Sequence, residues 1–436
     1  MRMTLLLLAL GSLFILAHTS AQAADTAFDV EAAVQSYLDI LTPEEKARSD
    51  AYFEGGYWIR LWDLLYGLAI AFVLLHFRLS ARLRDGSVRI FRRRWLATMG
   101  YGAGYLLAVA ILGFPWTVYT AFVREHRYDL STQTFGAWFG EHLMSLGFSL
   151  VGISIAVLVL YAVIRRAPRT WYLWGAAAMI GLIGFAVFVS PVFVEPVFND
   201  YTPMEEGPLK EDILAMARMN GVPADDVFVV DASRQTTRIS ANVAGLFGTT
   251  RIALNDNLLR QGTAAEVRAV MGHELGHYVL GHAYKFMTGF AILIAVGFAF
   301  VHWAFGRIVA RRGAAWGVRG LDDVAGLPLI VALMSVYFFA ITPLTNTITR
   351  NSEAEADIFG LNVAHAPDGF ASIAMKLATY RKIAPGAIEE AIFYDHPSGK
   401  SRVTMAMRWK AENLDLLEAI AGHRTQPRKN ADAPAK

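Results

Sequence analysis

The pentapeptide His273-Glu274-Leu275-Gly276-His277 is the stretch on which the fold of this chain depends. It lies in a predicted helix that begins at Thr263, which has the spacing of a capping box with Glu266. On a helix, side chains four residues apart share one face, so the two imidazoles can reach the same metal ion. The glutamate lies one position further round, where it can accept a proton from a nearby water. The H-E-x-x-H pattern therefore predicts two metal ligands and a general base, as in zinc peptidases.

An acidic stretch later in the chain supplies a third ligand. Residues 350–360 read Arg-Asn-Ser-Glu-Ala-Glu-Ala-Asp-Ile-Phe-Gly, and a helix there places Glu353 and Asp357 on one face. Glu353 would complete a two-histidine, one-glutamate zinc site that leaves a fourth position for water. Asp357 would hold a ligand imidazole from behind. Glu355 points to nearly the opposite side of that helix, so we expect it to face solvent or a partner helix.

The composition indicates a protein that crosses the membrane several times. Of 436 residues, 55% are hydrophobic, and these residues are concentrated in long blocks. Cysteine is absent, which excludes disulfides and thiolate metal sites, so any metal must rest on histidine and carboxylate side chains.

The apolar blocks and the polar segments between them predict the organisation of the chain. Blocks near 57–77, 95–115, 138–164, 171–192, 286–306 and 326–345 each approach the ~20 residues that cross a bilayer. We predict a signal peptide or first transmembrane helix at 1–23, followed by an extramembrane segment at 24–56. Transmembrane helices 1–4 occupy 57–192, and transmembrane helices 5–6 occupy 286–345. A zinc-peptidase domain is formed by two parts, 193–285 and 346–423, and a disordered tail follows at 424–436.

Arginines in the connecting loops predict the orientation. If the six spans alternate, three arginine-rich loops share one face of the membrane, which the positive-inside rule assigns to the cytoplasm. Those arginines are Arg78, Arg82, Arg84, Arg89, Arg92, Arg93 and Arg94 in the first loop, Arg165, Arg166 and Arg169 in the second, and Arg307, Arg311, Arg312 and Arg319 in the third. The zinc-peptidase domain then faces the periplasm from the inner membrane.

Six stretches together resemble the type I CAAX prenyl proteases, which are multi-span zinc endopeptidases. They occur in family order between about residues 50 and 410: Phe122-Val123-Arg124-Glu125-His126, Pro196-Val197-Phe198-Asn199 with Thr202-Pro203, Arg251-Ile252-Ala253-Leu254, His273 to His277, Glu353 with Ala356-Asp357, and His396-Pro397 with Arg402. The set is far more specific than the zinc motif alone.

The resemblance implies a predominantly α-helical fold, a polytopic membrane helical barrel enclosing a chamber and capped by a small α+β zinc-metallopeptidase domain. It implies one Zn²⁺ per chain, with His273, His277 and Glu353 as ligands, Glu274 as the general base and His396 steadying the oxyanion. The family strand that binds the substrate backbone usually reads Asn-Ala-Tyr. This chain has Ser240-Ala241-Asn242 there, and Ala241 fits the pattern.

The predicted function is hydrolysis of peptide bonds in membrane-associated or exported polypeptides. The expected partners are a polypeptide substrate and the lipid bilayer, with no nucleic acid and no nucleotide. One alternative is a quality-control protease resembling the heat-shock membrane zinc proteases, which usually have fewer spans. A less favoured alternative is a transporter or a chaperone-like chamber, although the spans lack the paired charges of such proteins.

Overall fold

The computed structural model describes residues 28–245 and 250–425, and this part of the chain is predominantly helical. The predicted signal segment 1–23 lies outside the described residues, as does all but the start of the predicted tail. The helices are Val30–Leu38, Pro43–His76, Leu79–Ile90, Arg94–Val118, Arg124–Arg127, Phe135–Arg166, Trp171–Val189, Glu195–Phe198, Pro208–Met219, Asp256–Gln261, Ala264–Val279, His282–Trp316, Leu327–Ala340, Thr342–Ala364, Pro367–Lys376, Ala387–Phe393, Gly399–Glu412 and Leu414–Thr425.

Five described helices are long and apolar enough to cross a membrane: Pro43–His76, Arg94–Arg127, Phe135–Arg166, Trp171–Phe198 and His282–Trp316. The sixth predicted span is a pair of helices, Val324–Ala340 and Thr342–Ala364, bent by 56° at the break between them. The first long helix begins well before the predicted span at 57, because Thr42 and Glu45 form a capping box and Pro43 occupies the first helical position.

The three arginine-rich loops meet at one end of the helical bundle. Arg84 Nη1 lies 2.5 Å from Asp323 Oδ2, which joins the first loop to the third. Arg165 Nη1 donates to Thr98 Oγ1 at 3.2 Å, which joins the second loop to the same region. At the opposite end, Thr237 N donates to Leu130 O at 3.3 Å, so the short loop after the second span contacts the polar part of the chain.

A four-stranded sheet forms the β part of the polar domain. Its strands are β1 (Tyr201–Pro203), β2 (Val227–Val230), β3 (Ala241–Ala244) and β4 (Arg251–Asn255), in the order β1-β2-β4-β3. Strands β2 and β4 are parallel, and the outer strands are antiparallel to their neighbours. Buried side chains of β2 and β4 pack on the helix that carries the pentapeptide, so one face of the sheet supports that helix.

Two helices cross at very short range behind the pentapeptide. We call Ala264–Val279 the motif helix and Thr342–Ala364 the acidic helix. A Cβ added to Gly272 would lie 2.9 Å from Gly360 O, and one added to Gly276 would lie 3.2 Å from Ala356 Cα. A Cβ on Gly360 would lie 2.8 Å from the backbone nitrogen of His273. Small residues on both helices therefore set the distance between them.

Replacing Gly360 with alanine tests this contact. The new methyl group would overlap backbone atoms of the motif helix, so the two helices must separate. Overpacking of this kind lowers the free energy of unfolding by about 1–3 kcal/mol. We expect Gly360→Ala to lower the midpoint of thermal unfolding of the detergent-solubilised protein. Gly289→Ala is the matched control, because a Cβ there has nothing within 4 Å. Equal midpoints for the two variants would show that the crossing tolerates a wider spacing.

Candidate metal centre

Three side chains from the motif helix and the acidic helix converge at their crossing. His273 Nε2 and His277 Nε2 are 3.0 Å apart. Glu353 Oε2 lies 3.4 Å from His273 Nε2, and Glu353 Oε1 lies 3.4 Å from His277 Nε2. Ligand atoms about 2.0–2.2 Å from a tetrahedral zinc ion must be roughly 3.3–3.6 Å from one another. The two 3.4 Å distances fall in this range and the histidine pair is closer, so a small separation of the two imidazoles would let the three side chains share one zinc ion.

A buried ion pair holds the first histidine in place. Asp357, on the acidic helix, is completely buried, and its Oδ1 lies 2.8 Å from His273 Nδ1. Arg402, on the helix Gly399–Glu412, donates from Nε to Asp357 Oδ2 at 2.9 Å and from Nη2 to Glu353 Oε2 at 3.2 Å. With Nδ1 engaged by Asp357, Nε2 of His273 is the nitrogen directed at the site. Glu353 and Asp357 thus share one helix face, as the sequence predicts.

The second histidine has a different support. His277 Nδ1 lies 2.8 Å from Nδ1 of the fully buried His282, whose Nε2 lies 3.2 Å from Glu355 Oε2. Lys285 Nζ donates to the same carboxylate oxygen at 2.5 Å. His282 therefore has the position of a support for His277. The Glu355 side chain is 51% exposed and is not among the converging donors.

The charges around the site favour a cation. Burial alone lowers the pKa of His273, but the carboxylates of Asp357 and Glu353 outweigh it and raise the pKa to about 9. Burial and the neighbouring His273 lower the pKa of His277 to about 4. Burial raises the pKa of Glu353, yet His273 and His396 overcome that effect and hold it well below the usual range. The carboxylates therefore stabilise positive charge beside His273, while His277 stays neutral, the form in which an imidazole binds a metal ion.

Glu274 has the properties of a general base. It lines the same cavity as His273 and Glu353 but is not one of the three converging donors. Burial raises its pKa from 4.5 to about 7, and the negative charge of Glu353 acts in the same direction. A carboxyl group titrating near neutral pH can both accept and return a proton under working conditions.

The cavity at the site measures about 240 Å³ and is bounded on one side by β3. Ser240 and Ala241 line it, whereas Asn242 is exposed and does not. His396 also lines it: its Nε2 lies 3.2 Å from Glu353 Oε2, and its Nδ1 lies 2.8 Å from Asp395 Oδ1. The structure thus gathers every predicted site residue except Asn242 around one cavity or directly behind its ligands.

The site includes residues to which the sequence analysis gave no role. Arg402 contacts two carboxylates of the cluster, and its presence among the family-like stretches was the available signal. Asp395 directly precedes His396, and a carboxylate beside a functional histidine is a recognisable pattern. Tyr380 and Arg381 line the cavity from a stretch between helices, where no spacing or periodicity marks them.

The spans and the donor cluster together define a multi-pass membrane metallopeptidase. Two family models match adjacent parts of the chain. The model described as "CAAX prenyl protease N-terminal, five membrane helices" matches residues 30–200. The model of peptidase family M48 matches residues 203–410. The chain belongs to peptidase family M48, and its membrane helices are of the CAAX prenyl protease type.

Individual relatives agree with the family models. An uncharacterized metalloprotease, YhfN, of Bacillus subtilis is 29% identical over 77% of this chain and 79% of its own length. A CAAX prenyl protease 1 homolog of Dictyostelium discoideum is 32% identical over 58% of this chain and 60% of its own length. Among solved structures, the crystal structure of S. mikatae Ste24p matches with a TM-score of 0.72 at 19% identity, covering 84% of this chain and 90% of that one.

The likeness to Ste24p confirms the predicted fold class, a helical membrane barrel around a chamber with a small α+β domain. Family membership makes the protein a membrane metalloprotease and therefore a hydrolase that requires a metal. The predicted division into domains was not tested by these comparisons and stays a prediction.

The two neighbouring glutamates of the acidic helix give a direct test of the ligand set. Removing Glu353 takes away one of three donors, so Glu353→Ala is expected to lose most of its bound zinc, and activity with it. Glu355→Ala is the matched control and is expected to keep both, with a small change in stability from the lost contacts to Lys285 and His282. Zinc content of the two purified variants is measured by mass spectrometry beside peptide cleavage. Loss of the metal in Glu355→Ala instead would place the ligand on the other face of the helix.

Proposed function

We propose that this protein is a zinc metalloendopeptidase that holds one zinc ion per chain on His273, His277 and Glu353. The observation that carries the proposal is the spacing of the three donor side chains, whose nearest nitrogen and oxygen atoms lie 3.0, 3.4 and 3.4 Å apart at the crossing of two helices. Asp357 and His282 sit behind the two histidines and would keep them aimed at the ion. Such a donor set leaves a position for water and substrate, which is typical of catalytic rather than structural zinc sites.

Glu274 carries the proton in the proposed hydrolysis. When bound, zinc supplies Lewis-acid polarisation of the scissile carbonyl and lowers the pKa of water to about 7. Glu274 accepts the proton of the attacking water and then returns it to the nitrogen of the departing amine. Its raised pKa suits both steps, because the protonated and ionised forms are of similar energy near neutral pH.

His396 is the proposed donor to the oxyanion. It lines the cavity, and Asp395, 2.8 Å from its Nδ1, fixes the orientation of its ring. This leaves Nε2 as the nitrogen directed toward the reacting centre. A preorganised donor at a developing oxyanion contributes about 10²–10³ to the rate in comparable sites.

Strand β3 is the proposed binding surface for the substrate backbone. It is an edge strand whose inner side pairs with β4, and Ser240 and Ala241 border the cavity. An extended polypeptide can add to such an edge through main-chain hydrogen bonds, which recognise backbone rather than side chains. We infer that the substrates are membrane-associated or exported polypeptides. The five long spans and the bent pair favour this assignment over a quality-control protease with fewer spans.

The proposed location is the inner membrane, with the metal centre facing the periplasm. The three arginine-rich loops lie together at the end of the bundle away from the metal centre. The positive-inside rule retains such loops in the cytoplasm. The motif helix and the acidic helix would then work on the outer side.

Replacing Glu274 with glutamine separates proton transfer from metal binding. The amide cannot accept the proton, but it removes none of the three donors. We expect Glu274→Gln to lose cleavage of an unfolded reporter polypeptide while its zinc content equals that of the wild type. Glu355→Gln makes the same chemical change at an exposed glutamate of the acidic helix, and this variant is expected to keep both its zinc and its activity. Zinc lost together with activity in Glu274→Gln would make Glu274 a ligand.

Reporter fusions test the orientation. Alkaline phosphatase requires an oxidising compartment, so a fusion after residue 436 is expected to be active and one after Arg166 inactive. The reverse pattern, with activity at the arginine-rich loop alone, would place the metal centre in the cytoplasm. Equal expression of the two fusions is checked by immunoblotting.

A further inference from the structure

A second cavity lies far from the metal centre, among the arginine-rich loops. It measures about 380 Å³ and is lined by five arginines and two aspartates, which gives it a formal charge of +3: Arg84, Arg92, Arg94, Arg165, Arg319, Asp322 and Asp323. The helix His282–Trp316 starts beside the metal centre and ends near this cavity. Its 35 residues span about 52 Å, so the two sites lie at opposite ends of the bundle.

The aspartates neutralise only part of this charge. Arg84 pairs with Asp323 at 2.5 Å and with Asp85 at 2.9 Å, so its charge is satisfied within the protein. Arg94 lies 3.9 Å from Asp322, an exposed and weak pair, and Arg319 lies 3.5 Å from Asp85. Within residues 28–245 and 250–425, Arg92 contacts no carboxylate.

Arg165 provides the most direct sign of a ligand. It lines the cavity, donates from Nη1 to Thr98 Oγ1 at 3.2 Å, and has Tyr161 at 5.6 Å. Its Nε is buried and, in the part of the chain that the structure describes, has no hydrogen-bond partner. A buried donor left unpaired is unfavourable, so a group in the cavity that accepts a hydrogen bond from the Arg165 guanidinium would be bound favourably.

The N-terminus of a long helix faces the same cavity. The helix Arg94–Val118 begins there without a capping side chain, and Arg94, Ala97 and Thr98 line the cavity. The first amides of a helix lack acceptors within it and carry the positive end of its dipole. Guanidinium groups around free helical amides are the donor set that binds phosphate.

An apolar groove adjoins the basic cavity, and Phe91 lines both. The groove measures about 670 Å³ and follows the helix Arg94–Val118 along Gly100, Gly104, Ala108 and Leu112. From Gly100 to Leu112 the helix rises about 18 Å, which exceeds the ~15 Å of one leaflet's hydrocarbon. The groove is therefore long enough for an acyl chain that enters from the headgroup region.

We propose that the basic cavity and the apolar groove together hold one anionic phospholipid of the leaflet on the arginine-rich face. Its phosphate contacts Arg165, Arg94 and the first amides of the helix, and one acyl chain lies along the groove. Val88 of the helix Leu79–Ile90 lines the basic cavity and Ile90 of the same helix lines the groove, and the two residues are 61% and 75% exposed. Basic pockets between membrane helices recognise acidic lipid headgroups in this way. The site requires no peptidase activity.

Native mass spectrometry of the full chain in detergent tests the proposal with dioleoyl phosphatidylglycerol, dioleoyl phosphatidylcholine and inorganic phosphate as probes. We expect the wild type to retain phosphatidylglycerol in preference to phosphatidylcholine. Arg165→Gln and Arg94→Gln are each expected to weaken phosphatidylglycerol binding about fivefold, the effect of one cation near an anionic headgroup. Arg94 is exposed, so its variant gives a result even if replacing the partly buried Arg165 prevents folding.

Two further variants distinguish a lipid from a free anion. Ala108→Trp fills the groove without touching the arginines, so it is expected to weaken phosphatidylglycerol binding and leave phosphate unaffected. Arg169→Gln is the matched control, since it removes an arginine of the same loop that does not line the cavity. Equal retention of the two lipids, or phosphatidylglycerol binding unchanged in Arg94→Gln, would overturn the proposal. Phosphatidylglycerol binding unchanged in Ala108→Trp would mean that the site takes the phosphate alone.

Discussion

The close crossing of the motif helix and the acidic helix is the constraint on which the rest of the site depends. Helix axes normally lie 8–10 Å apart, and only small residues at the contact allow the closest approach. Gly272, Gly276, Ala356 and Gly360 meet the chain of the opposite helix with no room for larger side chains. Because the helices are so close, the single carboxylate of Glu353 on one helix reaches both imidazoles on the other. The glycine inside the pentapeptide is thus part of the metal site, although it binds nothing.

Buried charge makes the arrangement specific. Asp357, Glu353 and Arg402 are all buried, and each contacts at least one opposite charge of the group. Removing one partner of such a group leaves another charge uncompensated in a medium of low polarity, which costs far more than the pair contributes on its own. The network therefore defines where the helix Gly399–Glu412 must dock. Its docking in turn places the segment that carries His396 at the mouth of the cavity.

Much of this arrangement could be predicted from the sequence, because it follows from helical periodicity. The four-residue spacings of His273 with His277 and of Glu353 with Asp357 determine shared faces, and the structure confirms both. Local patterns say nothing about contacts between distant segments. Tyr380 and Arg381 reach the cavity from an irregular stretch, and the support of His277 by His282 depends on a turn at Gly281 with a positive φ of 65°. The bend within the sixth span was not predicted, since residues 326–345 read as one continuous apolar block.

The order of these residues along the chain has a consequence for biosynthesis. The motif helix precedes the last membrane helices, the acidic helix is the second half of the bent pair, and His396 and Arg402 follow that pair. A nascent chain that has produced the pentapeptide still lacks the proposed ligand Glu353, the proposed oxyanion donor His396, and Arg402, which pairs with the buried carboxylates. The catalytic apparatus can come together only after the final spans have been inserted and the helix at residues 399–412 has been translated. We therefore expect partially synthesised molecules to lack peptidase activity.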